Sequence, residues 1–319
     1  MHPETEQLLG TLQVLTEPGI QFRFPSNHRS SFVPFVWDSH EKGELNILSL
    51  SYAEGWIQLT DIDVALSSWQ AVENRGSLDP DFDPEFLEYD DTNHAVDEVT
   101  KVTRAKKYLA LSQLLQSELQ ELEIFKLSCC PIYSFCVVIG RTKNDDWICI
   151  SPTVAQETKI GEKLSRSPLP ETNVTRQLGE DSLNLESKIE EIIAEIEPII
   201  IYGFYAGGYD YRFDYRLISA VANTKSQAFE EALRKAGMLE IYHFHEFRDD
   251  ELAWTFEKDE IEELVLKYKQ LNRFLKQRFN EMRMLRCSFW NWEHIYIIGQ
   301  VQEGDWLGLY LESEFDFNP

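Results

Sequence analysis

Two stretches decide the reading: Val137-Val138-Ile139-Gly140-Arg141-Thr142-Lys143-Asn144-Asp145-Asp146-Trp147-Ile148-Cys149-Ile150, and Tyr296-Ile297-Ile298-Gly299-Gln300-Val301-Gln302-Glu303-Gly304-Asp305-Trp306-Leu307-Gly308-Leu309. They are 159 residues apart in a chain of 319, with no gap between the aligned positions. Ile-Gly followed by Asp-Trp recurs at the same spacing in both. Each stretch alternates, passes through a polar turn of Asn-Asp-Asp or Glu-Gly-Asp, and alternates again. That pattern predicts two β-hairpins. Trp147 and Trp306 are expected to anchor their hairpins in a core, as are Phe125 and Met284 nearby.

Upstream of each hairpin the apolar spacing changes from two to that of a helix. Tyr108, Leu111, Leu115, Leu119 and Leu122 form one apolar face, and Leu264, Tyr268, Leu271, Leu275 and Met282 form its counterpart. Each half therefore ends in helix, strand, turn, strand. The beginnings also match. Thr5 to Leu15 and Leu185 to Ile196 read as amphipathic helices, the second carrying Ile189, Ile192, Ile193 and Ile196. Aromatic strands follow at Phe32 to Trp37 and at Tyr209 to Leu217. Leu45 to Leu50 reads as a further strand, as does Ile241 to Phe247. Residues 152 to 184 carry Pro152, Pro168 and Pro170, several Ser and Thr, and no apolar period, which predicts a linker.

Composition limits the function. The chain carries 30 Lys and Arg against 55 Asp and Glu, a formal net charge of -25. Such a balance disfavours nonspecific binding of nucleic acid or anionic membranes, both of which need basic groups. It favours a basic partner, or solubility alone. An apolar fraction of 43% is enough for two cores. No apolar run approaches a membrane span, and the first residues do not read as a signal peptide. Of Cys129, Cys130, Cys136, Cys149 and Cys287, four sit in apolar, strand-like contexts, and the odd number suits reduced thiols in a cytoplasmic setting.

The acidic stretch from Ser77 to Glu98 is the strongest candidate for function. Asp79, Asp81, Asp83, Glu85, Glu88, Asp90 and Asp91 are interleaved with Phe82, Phe86 and Tyr89, with no Lys or Arg. A calcium loop would need Gly and Glu where Pro84 and Asp90 stand. A protein-binding loop uses both residue types: carboxylates match a basic surface and aromatics supply anchors. A solvated loop whose aromatics fold back is the alternative. His243 and His245 alternate beside Glu246 and Asp249. They form a structural pair or, with further ligands, a metal site. No phosphate-cradling loop, dinucleotide fingerprint or nucleophile elbow is present. The residues assign no catalytic role, no metal and no cofactor.

The first half resembles the nuclease A inhibitor (NuiA-like) family, small acidic proteins that block sugar-non-specific nucleases. The resemblance rests on Phe32-Val33-Pro34-Phe35-Val36-Trp37-Asp38, Thr60-Asp61-Ile62-Asp63, the acidic aromatic loop, Tyr108 to Leu122, Ile124-Phe125-Lys126-Leu127, and Tyr133 to Ser151, in order. It implies an α/β (α+β) fold of two tandem α/β/α sandwich domains, at 1–158 and 185–319, the second divergent, joined by a linker at 159–184. It also implies a non-enzymatic protein that plugs a basic nuclease cleft by imitating its anionic substrate. Two departures stand out. The 25–31 loop carries Arg29 and no acid, and the end of the first copy runs on into the linker. A duplicated fold repurposed as a protein-interaction scaffold is the alternative.

Overall fold

The computed structural model describes all residues except 18–19, 24–28, 75, 79–95, 129–133, 155–163, 169–176, 206–208, 248–257, 290–291, 302–303, 315–316 and 319. In chain order the first elements are α1 (Pro3–Thr16), β1 (Ile20–Arg23), β2 (Arg29–Trp37), α2 (Ser39–Lys42), α3 (Ile47–Ala53), β3 (Ile57–Thr60) and α4 (Ile62–Ala71). A 3-10 turn at Val72–Asn74 precedes α5 (Glu98–Glu118), β4 (Gln120–Leu127), β5 (Phe135–Arg141), β6 (Trp147–Pro152) and β7 (Leu164–Pro168). The remainder runs α6 (Glu180–Glu195), β8 (Ile199–Tyr205), β9 (Tyr209–Tyr215), β10 (Leu217–Ala222), α7 (Lys225–Lys235), β11 (Leu239–Phe247), α8 (Lys258–Arg278), β12 (Met282–Phe289), β13 (Trp292–Gln300), β14 (Trp306–Glu314) and β15 (Phe317–Asn318). The fold is α+β, with antiparallel pairing throughout the described ladders.

Two compact units form, and each draws on both halves of the sequence. The first comprises Met1–Ser49, Gln156–Glu171 and Leu239–Asp316; the second comprises Leu50–Ala155, Thr172–Met238 and Phe317–Pro319. Compactness thus divides the chain differently from the repeat. The first unit holds a sheet in the order β1-β2-β14-β13-β12-β11-β7. The second holds β10-β6-β5-β4-β3 and a small sheet, β15-β8-β9. The stretch read as a linker includes β7, whose Ser167 and Arg166 lie opposite His243 and Phe244 of β11.

In the first unit, α1 and α8 pack on the sheet. Leu8 and Leu12 of α1 meet Tyr268, Leu271 and Leu275 of α8 over Met284, Ile297 and Leu309. In the second unit, α4, α5 and α6 cover one sheet face, where Trp69, Tyr108, Leu111 and Ile189 pack on Val138, Ile148 and Ile150. Trp69 Nε1 donates to the Cys136 carbonyl at 2.9 Å, so the buried indole leaves no unmet donor. Phe229 of α7 meets Phe125 edge to face on the opposite side of that sheet. Helices on both faces give this unit three layers.

Leu45 to Leu50 is not a strand. Asn46 Oδ1 accepts from Ser49 N at 2.9 Å, and Ser49 Oγ accepts from Asn46 N at 3.0 Å. This reciprocal cap nucleates α3 and overrides the alternation. The hairpin tryptophans also depart from expectation. Trp147 and Trp306 are half-buried and lie under cations, Lys225 at 5.7 Å and Arg283 at 5.2 Å from the ring centroids. The deeply buried member of each Asp-Trp pair is the aspartate. Phe125 and Met284 are core, as expected.

Those aspartates are hubs. Asp305 Oδ2 accepts from Thr5 Oγ1 at 2.9 Å and His2 N at 3.4 Å, at the start of α1, while Oδ1 accepts from Ser39 N at 2.9 Å, just after β2. Asp146 Oδ2 accepts from Gly179 N at 2.8 Å, before α6, and Oδ1 accepts from Asn223 Nδ2 at 3.1 Å, just after β10. Burial pushes the Asp305 carboxyl up, but hydrogen bonds from Ser39, Thr5 and His2 outweigh it and hold it below its ordinary 3.8. A depressed carboxylate stabilises the folded state above the ordinary value, and that stabilisation is lost as pH falls through the depressed one. Asp305→Asn is therefore expected to lower stability at neutral pH by about 1–3 kcal/mol. It should also make stability fall less steeply as pH drops below about 4. Urea unfolding followed across that range checks both.

Candidate protein-interaction surface

Asp79, Asp81, Phe82, Asp83, Glu85, Phe86, Glu88, Tyr89, Asp90 and Asp91 all lie outside the described residues. What the structure places is the stem on either side of them, within the second unit. The chain enters through α4, whose Asp61 caps it by accepting from Val64 N at 2.9 Å, and through the 3-10 turn at Val72–Asn74. It leaves into α5, where Asp97 accepts from Thr100 Oγ1 at 2.6 Å and from the backbone N–H groups of Val99 and Thr100. The Thr100 hydroxyl and these backbone groups hold the Asp97 carboxyl below its ordinary value. A carboxylate here also meets the positive end of the α5 dipole.

A buried ion pair ties the two sides together. Arg104 Nε of α5 donates to Glu73 Oε1 of the 3-10 turn at 2.7 Å, and both residues are at most 4% exposed. Arg104 Nη1 donates to the Glu197 carbonyl at 2.7 Å, just before β8. One guanidinium of α5 thus binds the turn before the acidic stretch and the entry to β8. Burial pushes the neighbouring Tyr108 hydroxyl up to about 12, so it stays a neutral partner. At the surface, Lys101 Nζ bridges Asn74 Oδ1 at 3.0 Å and Glu98 Oε1 at 2.9 Å.

Beyond the ion pair, Ser77 and Ile200 exchange two backbone hydrogen bonds of 2.9 and 2.8 Å. This bridge needs glycine beside it. A Cβ on Gly76 would stand 2.1 Å from Ile199 Cγ2 and 2.8 Å from the Ile200 carbonyl oxygen. The sequence reading found the acidic stretch and missed its stem. Gly76, between Arg75 and Ser77, was the available signal.

The other candidates carry less. His243 lies opposite Arg283 of β12 and Ser167 of β7. Among the described residues no group of three or more His, Cys, Asp or Glu is placed to hold a metal ion. Cys136, Cys149 and Cys287 are buried and form no disulfide, and burial pushes the Cys136 and Cys149 thiols up, which makes them poor nucleophiles. Cys129 and Cys130 lie outside the described residues. Among the described residues no helix is long and apolar enough to cross a membrane. A second acidic aromatic connection, Asp249-Asp250-Glu251-Leu252-Ala253-Trp254-Thr255-Phe256-Glu257, joins β11 to α8 in sequence. It lies outside the described residues, and the sequence reading passed over it except for Asp249.

A family model described as NuiA, nuclease A inhibitor-like protein, matches residues 205–312. The matched stretch runs from the end of β8 to β14 and includes the second acidic aromatic connection. It falls in the half read above as the divergent copy. No curated protein matches the chain.

The stem yields a stability test. Arg104→Met leaves the Glu73 carboxylate buried without its cation, which should cost about 3–5 kcal/mol. Glu73→Gln combined with Arg104→Met should cost less than Arg104→Met alone, because no uncompensated charge remains. Gly76→Ala should cost about 1–3 kcal/mol through overpacking against Ile199. Chemical denaturation of the three variants checks the order.

Proposed function

We propose that this protein binds and inhibits a basic protein partner, a sugar-non-specific nuclease or an enzyme with a similar phosphate-holding cleft, by presenting carboxylates in place of the anionic substrate. The single observation that carries the reading is the nuclease A inhibitor-like match over residues 205–312. The charge of -25 and the clamped acidic stretch agree with it. The contact residues proposed are Asp79, Asp81, Phe82, Asp83, Glu85, Phe86, Glu88, Tyr89, Asp90 and Asp91, and the role is non-catalytic.

The physics is that of substrate imitation. A nuclease cleft must hold phosphates, so it is basic or carries a divalent metal. Carboxylates on a stem fixed by Glu73, Gly76 and Arg104 meet that field without a large ordering cost at the base. Steering between opposite charges speeds encounter and weakens with salt. Phe82, Phe86 and Tyr89 supply the apolar anchors that charge alone lacks. The alternative, a scaffold that kept the fold and lost the nuclease, is favoured by the 25–31 loop, which has Arg29 and no acid.

The test is DNA digestion by a sugar-non-specific nuclease, titrated with the full-length protein at two salt concentrations. Stoichiometric inhibition that weakens with salt is the expected result. An unaffected nuclease, with the protein folded, rejects inhibition and favours the scaffold. Replacing Asp81, Asp83, Asp90 and Asp91 together by Asn should weaken inhibition and flatten its salt dependence. An unchanged affinity and salt slope would remove this stretch from the contact surface.

A further inference from the structure

We infer that the chain is one fold duplicated, and that its two copies have exchanged their first helix and one strand that follows it, so that neither half of the sequence contains a complete unit. The inference goes beyond the proposed function and does not depend on it. The correspondences hold position by position in the sequence.

The hairpin turns agree first. Thr142 N donates to Asp146 O at 2.7 Å and Asp145 N to Thr142 O at 3.2 Å. At the positions 159 residues later, Val301 N donates to Asp305 O at 2.9 Å and Gly304 N to Val301 O at 3.0 Å. Asp145 and Gly304 both have positive φ, 64° and 89°. The glycine of each Ile-Gly pair lies against the residue just past the long helix. A Cβ on Gly140 would stand 2.9 Å from Leu119 Cβ, and one on Gly299 would stand 2.4 Å from Phe279 Cδ1.

The first helices agree as well. His2 and Thr5 stand to Asp305 much as Gly179 and Ser182 stand to the turn that holds Asp146. Gly179 N reaches Asp146 at 2.8 Å, and the Ser182 and Thr142 hydroxyls are 2.8 Å apart. Buried Leu8 and Leu12 of α1 match buried Leu185 and Ile189 of α6 at the same offset. The docking strands agree in register. Trp306 and Leu307 lie opposite Trp37 and Val36, and Trp147 and Ile148 lie opposite Ala222 and Val221. Each unit even carries a cleft in the same corner, between the first helix, the end of the long helix and the hairpin turn. Glu4, Leu8, Arg278 and Val301 line one of about 770 Å³, and Asp181, Leu185, Glu118 and Thr142 line one of about 330 Å³.

What breaks the symmetry of sequence is the donor of each piece. Helix α1 and strand β2 of the first half complete the sheet of β12, β13 and β14 from the second half. Helix α6 and strand β10 of the second half complete the sheet of β4, β5 and β6 from the first. The same exchange brings Ile200 and the Glu197 carbonyl to the stem of the acidic stretch. That stem is therefore held by both halves, and the first half alone lacks part of it.

The experiment uses the full chain with a protease site inserted after Asn173. After cleavage, the two pieces should co-elute on size exclusion at the volume of the uncut protein and separate only in denaturant. Two folded pieces that part under native conditions would overturn the exchange. Ala220→Cys adds a direct reading, because Ala220 lies opposite native Cys149 across the β10–β6 seam. Without exchange, the equivalent position faces Gly308, which has no thiol. Mild oxidation of the cut Ala220→Cys protein should give one full-mass band without reductant; two bands would reject the seam. If that variant does not fold, Pro34→Cys with Leu309→Cys reads the β2–β14 seam in the same way.

Discussion

A carboxylate buried behind a hairpin turn is the constraint on which both units depend. Apolar clusters drive collapse, yet they are non-directional and tolerate sliding. Asp305 instead specifies. Its two oxygens accept from the start of α1 and from the residue after β2, groups 300 and 266 residues away in sequence. A one-residue slip of β2 against β14 would leave that buried acid unmet and send Phe32 to the wrong face. Asp146 imposes the same demand on α6 and β10. The hub fixes which helix and strand may close each sheet, and hydrophobic burial stabilises the result.

The same logic of buried polar closure recurs at the stem of the acidic stretch. Glu73 and Arg104 are expensive to bury, and the Glu197 carbonyl and Tyr108 hydroxyl offset part of that cost by accepting from Nη1 and Nη2 of the guanidinium. A stem built this way has one arrangement. For a binding surface that is an advantage, since what is ordered beforehand need not be ordered on contact. Cys136 and Cys149 are buried and poorly nucleophilic.

Much of this was legible in the residues. The two hairpins, the long helices α5 and α8, and the aromatic strand β2 follow from period alone, because each buries one face. Leu45 to Leu50 misled because a reciprocal Asn46–Ser49 cap outweighs alternation over so short a run. The tryptophans misled because size suggests core, whereas the position beside the turn puts the small acid inside and the large ring at the margin. The pairing partner of β2 was not legible at all. Alternation tells which face a strand buries and says nothing of which strand it joins. The stem was hidden for a similar reason: Glu73 and Arg104 are 31 residues apart, and nothing local marks them as partners.

The β2–β14 seam also has a consequence in time. A ribosome releases the chain from its first residue onward. The apolar faces of α1 and β2 emerge well before the strand that covers β2: Trp306 of β14 is made 269 residues after its partner Trp37. At about 5–20 residues per second, that leaves tens of seconds in which Leu8, Leu12 and Phe32 have no native cover. The five-stranded sheet of the second unit can close sooner, once Met238 has been made, and β15 joins β8 only later. The nascent protein thus has a built-in order of assembly, in which α1 and β2 settle long after they are made. A helper that shields an exposed amphipathic helix during synthesis would matter more for this chain than for one whose neighbours in sequence are neighbours in space.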